Sequence, residues 1–108
     1  MEKDKGADRE SRTYNKIIYN PSQRPKLRTK SHIFDVVEIT EKEAWLTTDN
    51  IFNLEKKIQG NMTFLGGETM DVEGVVIWKR GNDIGLKFEN MIPSGTLLKE
   101  LRGLLSRE

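Results

Sequence analysis

The segment Thr69–Phe88 reads TMDVEGVVIWKRGNDIGLKF and contains the clearest strand pattern of the chain. In its first part, apolar or small residues recur at every second position, which places one set on a single face: Met70, Val72, Gly74, Val76 and Trp78. Arg80–Asp83 (RGND) is typical of a tight turn, and the alternation resumes beyond it at positions 84, 86 and 88. The segment therefore predicts two antiparallel strands joined in a hairpin.

Further strand-like segments precede this hairpin. They are rich in β-branched residues or end at turn residues, and they are His32–Thr40, Glu43–Thr48 and Lys57–Leu65. Gly66-Gly67 predicts a two-residue hairpin turn. An extended segment at Tyr14–Asn20 ends at Pro21, and the stretch between Pro21 and Pro25 is predicted to be irregular. About six short strands predict an all-β domain, a small six-stranded antiparallel β-barrel.

The C-terminal segment has a helical rather than a strand period. In Ser94–Ser106 the leucines occupy positions 97, 98, 101, 104 and 105, which lie on one stripe of an α-helix. Such a stripe must be buried against the barrel or a partner, and we expect the helix to cover the barrel rather than to form an oligomer. The predicted core comprises strand residues together with three helix leucines: Val72, Val76, Trp78, Ile84, Leu86, Phe88, Leu97, Leu101 and Leu104.

Length and composition set the class of protein. The 108 residues fit one domain, and the absence of cysteine excludes disulfides and zinc–thiolate sites. No apolar run approaches the ~20 residues of a membrane helix, so we expect a cytoplasmic protein without membrane insertion. Residues 1–31 contain nine basic and four acidic residues, a net charge of +5, whereas the remaining 77 contain nine and thirteen, a net charge of −4. We expect residues 1–10 to be a flexible charged terminus and residues 11–108 to be the domain.

Residues with catalytic or metal-binding chemistry are sparse. His32 is the one histidine and cysteine is absent, which leaves little material for a Cys–His or Ser–His–Asp system, and a lone histidine at the start of a strand is more often a surface or hydrogen-bonded residue than a base. Glu38, Glu41 and Glu43 surround one turn but lack the spacing of a calcium loop, so we interpret them as a solvated acidic turn. Trp45 and Trp78 are predicted in the core or at the barrel rim. We therefore expect no enzyme activity, no catalytic residue, no metal site and no cofactor.

Four segments occur in a characteristic order ahead of the terminal helix: Arg9–Ile17 (RESRTYNKI), Glu38–Ala44 (EITEKEA), Gly74–Trp78 (GVVIW) and Gly85–Phe88 (GLKF). This order resembles the PilZ domain, the bacterial receptor module for cyclic di-GMP, over nearly all of residues 9–105. The last two segments match the late strands of that family. The turn stands where the family usually has DISEGGL, and the leader stands where it has an R-x-x-x-R motif. The resemblance implies a PilZ-like split barrel with a C-terminal helix.

The resemblance also implies a ligand site made by the leader and the turn. In PilZ domains, two leader arginines bind the phosphates and guanine edges of an intercalated cyclic di-GMP dimer. The Asp and Ser of the turn receive guanine donors, and the Gly allows close backbone approach. In this sequence Arg12 and Lys16 stand in the places of the two arginines, and Arg9 is a further basic residue nearby in the sequence. In the turn, Glu38 stands in the place of the Asp, Thr40 in that of the Ser and Glu43 in that of the Gly.

These exchanges predict weak or lost affinity. Lys16 lacks the planar fork that binds phosphate in two places at once. Glu43 adds a Cβ and a negative charge beside a dianionic ligand, and it would be strained if the turn required a positive φ.

A second register remains open. Arg24–Arg28 (RPKLR) is a literal R-x-x-x-R, but Arg24 lies only 14 residues before Glu38, which leaves no room for the first barrel strand between motif and turn. Arg12 lies 26 residues before Glu38, which does leave room.

Two main functions follow from these residues. The first is a bacterial second-messenger protein that binds cyclic di-GMP and signals to a protein partner. The second is a constitutive protein–protein adaptor in motility or surface-attachment signalling that no longer binds nucleotide. A nucleic-acid-binding barrel is a third, disfavoured by the acidic body and the lack of interleaved aromatic and basic residues. We expect a monomer or a weak homo-oligomer.

Overall fold

The hairpin predicted from Thr69–Phe88 is present. The computed structural model describes residues 16–51 and 53–106. Its longest strand is Thr69–Arg80, which pairs antiparallel with Asp83–Phe88 across a two-residue turn. Gly81 has a φ of 60° in that turn, a conformation that glycine adopts without steric cost. The alternating pattern thus predicted both strands to within one residue.

The described chain contains seven strands followed by one helix. In chain order they are β1 (Ile17–Ile18), β2 (Lys26–Arg28), β3 (Ile33–Ile39), β4 (Glu43–Thr47), β5 (Lys57–Thr63), β6 (Thr69–Arg80), β7 (Asp83–Phe88) and α1 (Ser94–Ser106). All pairings are antiparallel, in the order β1-β3-β2-β5-β6-β7-β4. Because β4 also pairs with β3, strands β2 to β7 close into a barrel. The predicted six-stranded antiparallel barrel with a C-terminal helix is confirmed, with β1 as an extra strand beside it.

Strand β2 was not predicted from the sequence. Its three residues lie just beyond the stretch between Pro21 and Pro25 that is predicted to be irregular, and none of the predicted strand segments includes them. The extended segment expected before them is Tyr14–Asn20. Positions 14 and 15 lie outside the described residues, and of the remainder only Ile17–Ile18 forms a strand. Strand β2 exists because β3 and β5 both pair with it, one on each side. Such long-range pairing leaves little trace in a three-residue segment.

The β5–β6 turn also differs from expectation. Phe64 and Glu68 close it through a backbone bond from N of Phe64 to O of Glu68 at 2.8 Å, so the loop has three residues rather than two. Gly67 has a φ of 97°, which matches the left-handed last residue of a three-residue hairpin loop.

The barrel interior forms the core. Of the nine predicted core residues, five are buried: Val72, Ile84, Leu86, Phe88 and Leu97. Three more, Val76, Leu101 and Leu104, are partly buried against them. Helix α1 therefore docks on the barrel, as predicted, with Leu97 completely buried, whereas Leu98 and Leu105 remain exposed. Within the described ranges, no helix is both long and apolar enough to cross a membrane.

Trp78 is the exception to the predicted core. Its side chain is 40% exposed, because the pairing register of β6 with β7 shifts between Val76 and Trp78. A shift of one residue turns the following side chains to the other face of a strand. Trp78 therefore lies on the outer surface of the barrel, where Trp45 is 37% exposed.

Candidate functional site

Lys16, at the described end of the leader, lies beside the β3–β4 turn on the outer surface of the barrel. Strand β1 pairs with the end of β3, with Ile17 opposite Ile39 and Ile18 opposite Glu38. This pairing brings Lys16 beside the turn, where its Nζ lies 3.2 Å from Oε1 of Glu38. Two residues that the resemblance assigned to one site are therefore in direct contact. Both side chains keep partial solvent access, 55% for Lys16 and 26% for Glu38.

Thr40 organises the turn itself. Its Oγ1 accepts hydrogen bonds from the backbone N–H groups of Lys42 and Glu43, each at 3.1 Å. The Thr40 N–H in turn donates to the carbonyl of Glu43 at 2.8 Å. A threonine that satisfies two turn amides stabilises the loop in the way that short hydroxyl residues commonly do. Any ligand donor directed at this hydroxyl competes with those two amides.

Glu43 begins strand β4 without backbone strain. Asn53 is the one non-glycine residue with a positive φ in the described ranges, so Glu43 does not need the conformation that only glycine tolerates well. It pairs across the sheet with Lys87, an opposite charge on the neighbouring strand. Glu43 is exposed, and its obstacle to an anionic ligand is therefore its charge rather than its backbone.

Glu41 departs from the predicted solvated acidic turn. It is only 3% exposed, whereas Glu43 two residues later is exposed. The turn is held against the segment after β7, because the N–H of Ile92 donates to the Glu41 carbonyl at 2.9 Å and that of Phe88 donates to the Lys42 carbonyl at 2.8 Å. Nothing in the local sequence distinguishes Glu41 from its neighbours, since its burial depends on a segment some fifty residues further along the chain.

A row of residues crosses five strands beside the Lys16–Glu38 pair. Each member faces the next across the sheet: Ile18, Glu38, Trp45, Gly85 and Trp78. The two indole rings meet edge to face, with centroids 6.0 Å apart and planes at 72°. Sequence analysis did not place either tryptophan in the site. The residue that could have pointed to them is Gly85, a glycine on β7, which lies between the two strands that carry the tryptophans.

Together with Lys16 beside it, this row combines the groups that bind a planar anionic ligand. An exposed aromatic face stacks on a nucleobase, and a flanking cation binds phosphate. Ile18, which is 67% exposed at the other end of the row, adds apolar surface. The same combination of tryptophan and isoleucine also suits a protein interface.

The leader arginines Arg9 and Arg12 lie outside the described residues. For the alternative pair, the structure places Arg28 opposite Ile33, at the start of β3, whereas the candidate site lies at its end. Glu38 lies five positions further along the strand than Ile33, a distance of about 16 Å. Arg24 and Arg28 therefore do not converge on the turn as a pair.

Arg28 instead lines a separate cleft of about 820 Å³, formed largely by β5, β6 and the segment that follows β7. Side chains on its wall are already paired with each other, Gln59 with Glu73 at 2.8 Å and Asn61 with Asp71 at 3.1 Å. Of the site residues assigned by the PilZ resemblance, the four that the structure describes (Lys16, Glu38, Thr40 and Glu43) do not line this cleft. Among the residues that the structure describes, no three His, Asp or Glu side chains are grouped to hold a metal ion.

The comparisons with known proteins show a shared fold and indicate no function. No protein-family model matches the chain, and no curated protein matches it. The chain is similar to the crystal structure of an uncharacterized protein from Legionella, with a TM-score of 0.64 and 16% sequence identity. The match covers 86% of this chain and 96% of that one. At this identity the similarity shows a shared fold, and it extends over nearly the whole Legionella chain.

Proposed function

We propose that the protein is a PilZ-like bacterial signalling protein of the cytoplasm, which binds cyclic di-GMP weakly on the outer surface of its barrel. The observation that carries this proposal is the contact between Lys16 and Glu38, because it joins the leader to the turn that the PilZ resemblance predicts as its counterpart. The Arg24/Arg28 register lacks such a contact between its second residue and the turn.

The tryptophans support the same ligand class. Trp45 is the cross-strand neighbour of Glu38, and Trp78 lies one strand beyond Gly85. A guanine base could stack there while its phosphate reaches Lys16. The site residues in this proposal are Arg9, Arg12, Lys16, Glu38, Thr40 and Glu43, extended by Trp45 and Trp78.

The low affinity has two physical causes. Lys16 is already paired with Glu38, so a phosphate that binds the same ammonium group lies beside a carboxylate, which repels it. Glu43 adds a second carboxylate near the turn, which repels an anion. Both causes act on the charge of the site and leave the barrel intact.

A titration with cyclic di-GMP tests the proposal. The two tryptophans of the chain both belong to the row, so their fluorescence reports ligand binding directly. We expect weak binding by the native protein. The Lys16→Arg, Glu38→Asp, Glu43→Gly variant should bind at least about tenfold more tightly, since a regained charged hydrogen bond contributes about 1.5 kcal/mol or more. The Lys99→Arg variant makes a matched exchange on the exposed side of α1 and should leave affinity unchanged.

Two other results would contradict the proposal. Tight binding by the native protein would show that Glu43 and Lys16 do not weaken the site. If the native protein and the triple variant both fail to bind while remaining folded, the receptor function is wrong.

The adaptor is the alternative, favoured by the exposed apolar residues of the row. Ile18, Trp45 and Trp78 expose 67%, 37% and 40% of their surface, and tryptophan is enriched in protein interfaces. This alternative predicts that Arg12→Ala leaves motility or surface attachment unchanged in cells, whereas Trp45→Ala with Trp78→Ala abolishes it. The receptor predicts loss with either change.

A further inference from the structure

The two ends of the segment Lys16–Tyr19 contact different parts of the molecule. At one end Lys16 pairs with Glu38 of the candidate site at 3.2 Å. At the other end the Tyr19 hydroxyl donates a hydrogen bond to Oε2 of Glu100, in helix α1, at 3.0 Å. The segment Lys16–Tyr19 therefore connects the site to the helix.

The helix end of this connection is a buried polar cluster. Glu100 is only 5% exposed, and among the described residues three groups donate hydrogen bonds to its carboxylate oxygens. Besides Tyr19, the donors are the N–H groups of Leu65 and Gly66 in the β5–β6 turn, each at 3.0 Å. A buried carboxylate depends on such donors, so losing one of them weakens the hold of the helix on the barrel.

The middle of the segment pairs with β3 over a short length. Ile17 is 2% exposed and pairs with Ile39, and the N–H of Tyr19 donates to the carbonyl of Val37 at 2.9 Å. Tyr19 itself is 4% exposed. A displacement of Lys16 is therefore transmitted along a short, paired stretch of backbone rather than absorbed by a loose loop.

We propose that residues Lys16–Tyr19 couple the candidate site to the docking of helix α1, so that an anionic ligand which holds Lys16 at the turn also stabilises the helix on the barrel. The identity of that ligand as cyclic di-GMP rests on the proposed function. The coupling between site and helix rests on the contacts at the two ends of the segment.

The direction of the effect follows from the length of β1. A two-residue strand contributes few backbone bonds of its own, so its order depends on what holds its ends. A ligand bound across Lys16 and the turn fixes one end and thereby favours the Tyr19–Glu100 bond at the other. By linkage, a docked helix must favour ligand binding by the same factor.

Hydrogen exchange of the native chain without ligand tests the coupling first. Lys16→Ala removes the contact at the site end and should accelerate exchange of the amides of Leu65, Gly66 and the middle of α1. We expect a factor of about 1.5 to 5, the equivalent of a partly exposed ion pair. Lys99→Ala removes a lysine from the exposed face of α1 and should have no such effect. Amides of β6 should keep their rates in both variants, which separates local undocking from global unfolding.

Tyr19→Phe tests the other end, because it removes the hydroxyl and retains the buried ring. It should accelerate the same helix amides by about tenfold or more, as expected for a buried hydrogen bond to a charged group. It should also weaken cyclic di-GMP binding to the triple variant described above, by a factor in the range of about 5 to 150 typical of coupled sites. Leu98→Ala, on the exposed face of α1, should change neither quantity.

The outcomes separate the two proposals. If cyclic di-GMP binds but neither ligand nor Lys16→Ala changes helix exchange, the coupling is overturned and the receptor function stands. If neither the native protein nor the triple variant binds cyclic di-GMP, the receptor function fails. The hydrogen-exchange rates of Lys16→Ala still decide the coupling. Unchanged helix exchange in Lys16→Ala overturns it in either case.

Discussion

The indole of Trp78 lies across Gly85, the residue that faces it on the neighbouring strand. A Cβ at Gly85 would stand 2.1 Å from Nε1 of Trp78, far inside the contact distance of two such atoms. Trp45 faces the same glycine from the other side. Because Gly85 has no side chain, the two tryptophans can lie together on the outer surface of the barrel. Any side chain at this position must displace an indole.

Gly85→Ala should therefore disturb the tryptophan pair. We expect the Trp78 ring to swing outward, with a red shift of tryptophan fluorescence and a loss of about 1 kcal/mol or more in the free energy of unfolding. Gly103→Ala provides the control, because a Cβ at Gly103 meets no atom within 4 Å apart from its chain neighbours and the backbone of its own helix. Within helix α1 that change should stabilise the protein by up to about 1 kcal/mol. An unchanged spectrum for Gly85→Ala would contradict the placement of Trp78.

Truncation of helix leucines should follow their burial. Leu97 is completely buried, so Leu97→Ala should lower the free energy of unfolding by about 2–5 kcal/mol in chemical denaturation. Leu98, the next residue, is 37% exposed, and Leu98→Ala should cost less than about 0.5 kcal/mol. Equal effects of the two truncations would mean that α1 does not dock in the orientation described.

Stability at alkaline pH should depend on Tyr19. Burial, reinforced by the charge and the hydrogen bond of Glu100, raises the pKa of the Tyr19 hydroxyl well above its ordinary value. The folded state thus favours the neutral phenol, and this contribution is fully present below about pH 10, the pKa of an unfolded tyrosine, and is lost as the pH rises above it. The free energy of unfolding should fall by up to about 1.4 kcal/mol per pH unit in that range.

Tyr19→Phe isolates this effect. The variant should be less stable than the native protein at neutral pH, and the difference should shrink above pH 10, because phenylalanine has no proton to lose. Denaturant titrations at a series of pH values measure both proteins under the same conditions. A difference that stays constant with pH would show that Tyr19 ionises as easily in the folded state as in the unfolded state.

Removal of the Glu43 charge should improve the binding of anions. Because Glu43 is exposed, solvent screens its charge, and Glu43→Gln should raise cyclic di-GMP affinity by a factor of about 1.5 to 5. The gain should disappear at high salt. Glu68→Gln, an equally exposed change in the β5–β6 turn, should leave affinity unchanged. A gain of equal size from Glu68→Gln would indicate a general effect of net charge rather than a local one.

The sequence by itself determined the elements whose pattern is local and long. The alternation in Thr69–Arg80 and the leucine spacing in Ser94–Ser106 predicted β6 and α1 with the bounds that the structure has. Period 2 and period 3.6 are properties of the backbone of each element, so they are written into consecutive residues. The same reasoning predicted an antiparallel barrel, because about six short strands must close or stack to cover their apolar faces.

Tertiary structure alone decided the features that depend on residues far apart in the chain. Strand β2 exists because β3 and β5 pair with it, and Trp78 faces outward because the register of β6 shifts against β7. Glu100 resembles any charged residue on a helix, yet it is buried because Tyr19, 81 residues earlier, and the β5–β6 turn supply its hydrogen bonds. The free energy of each of these arrangements comes from contacts between segments, and no local pattern encodes it.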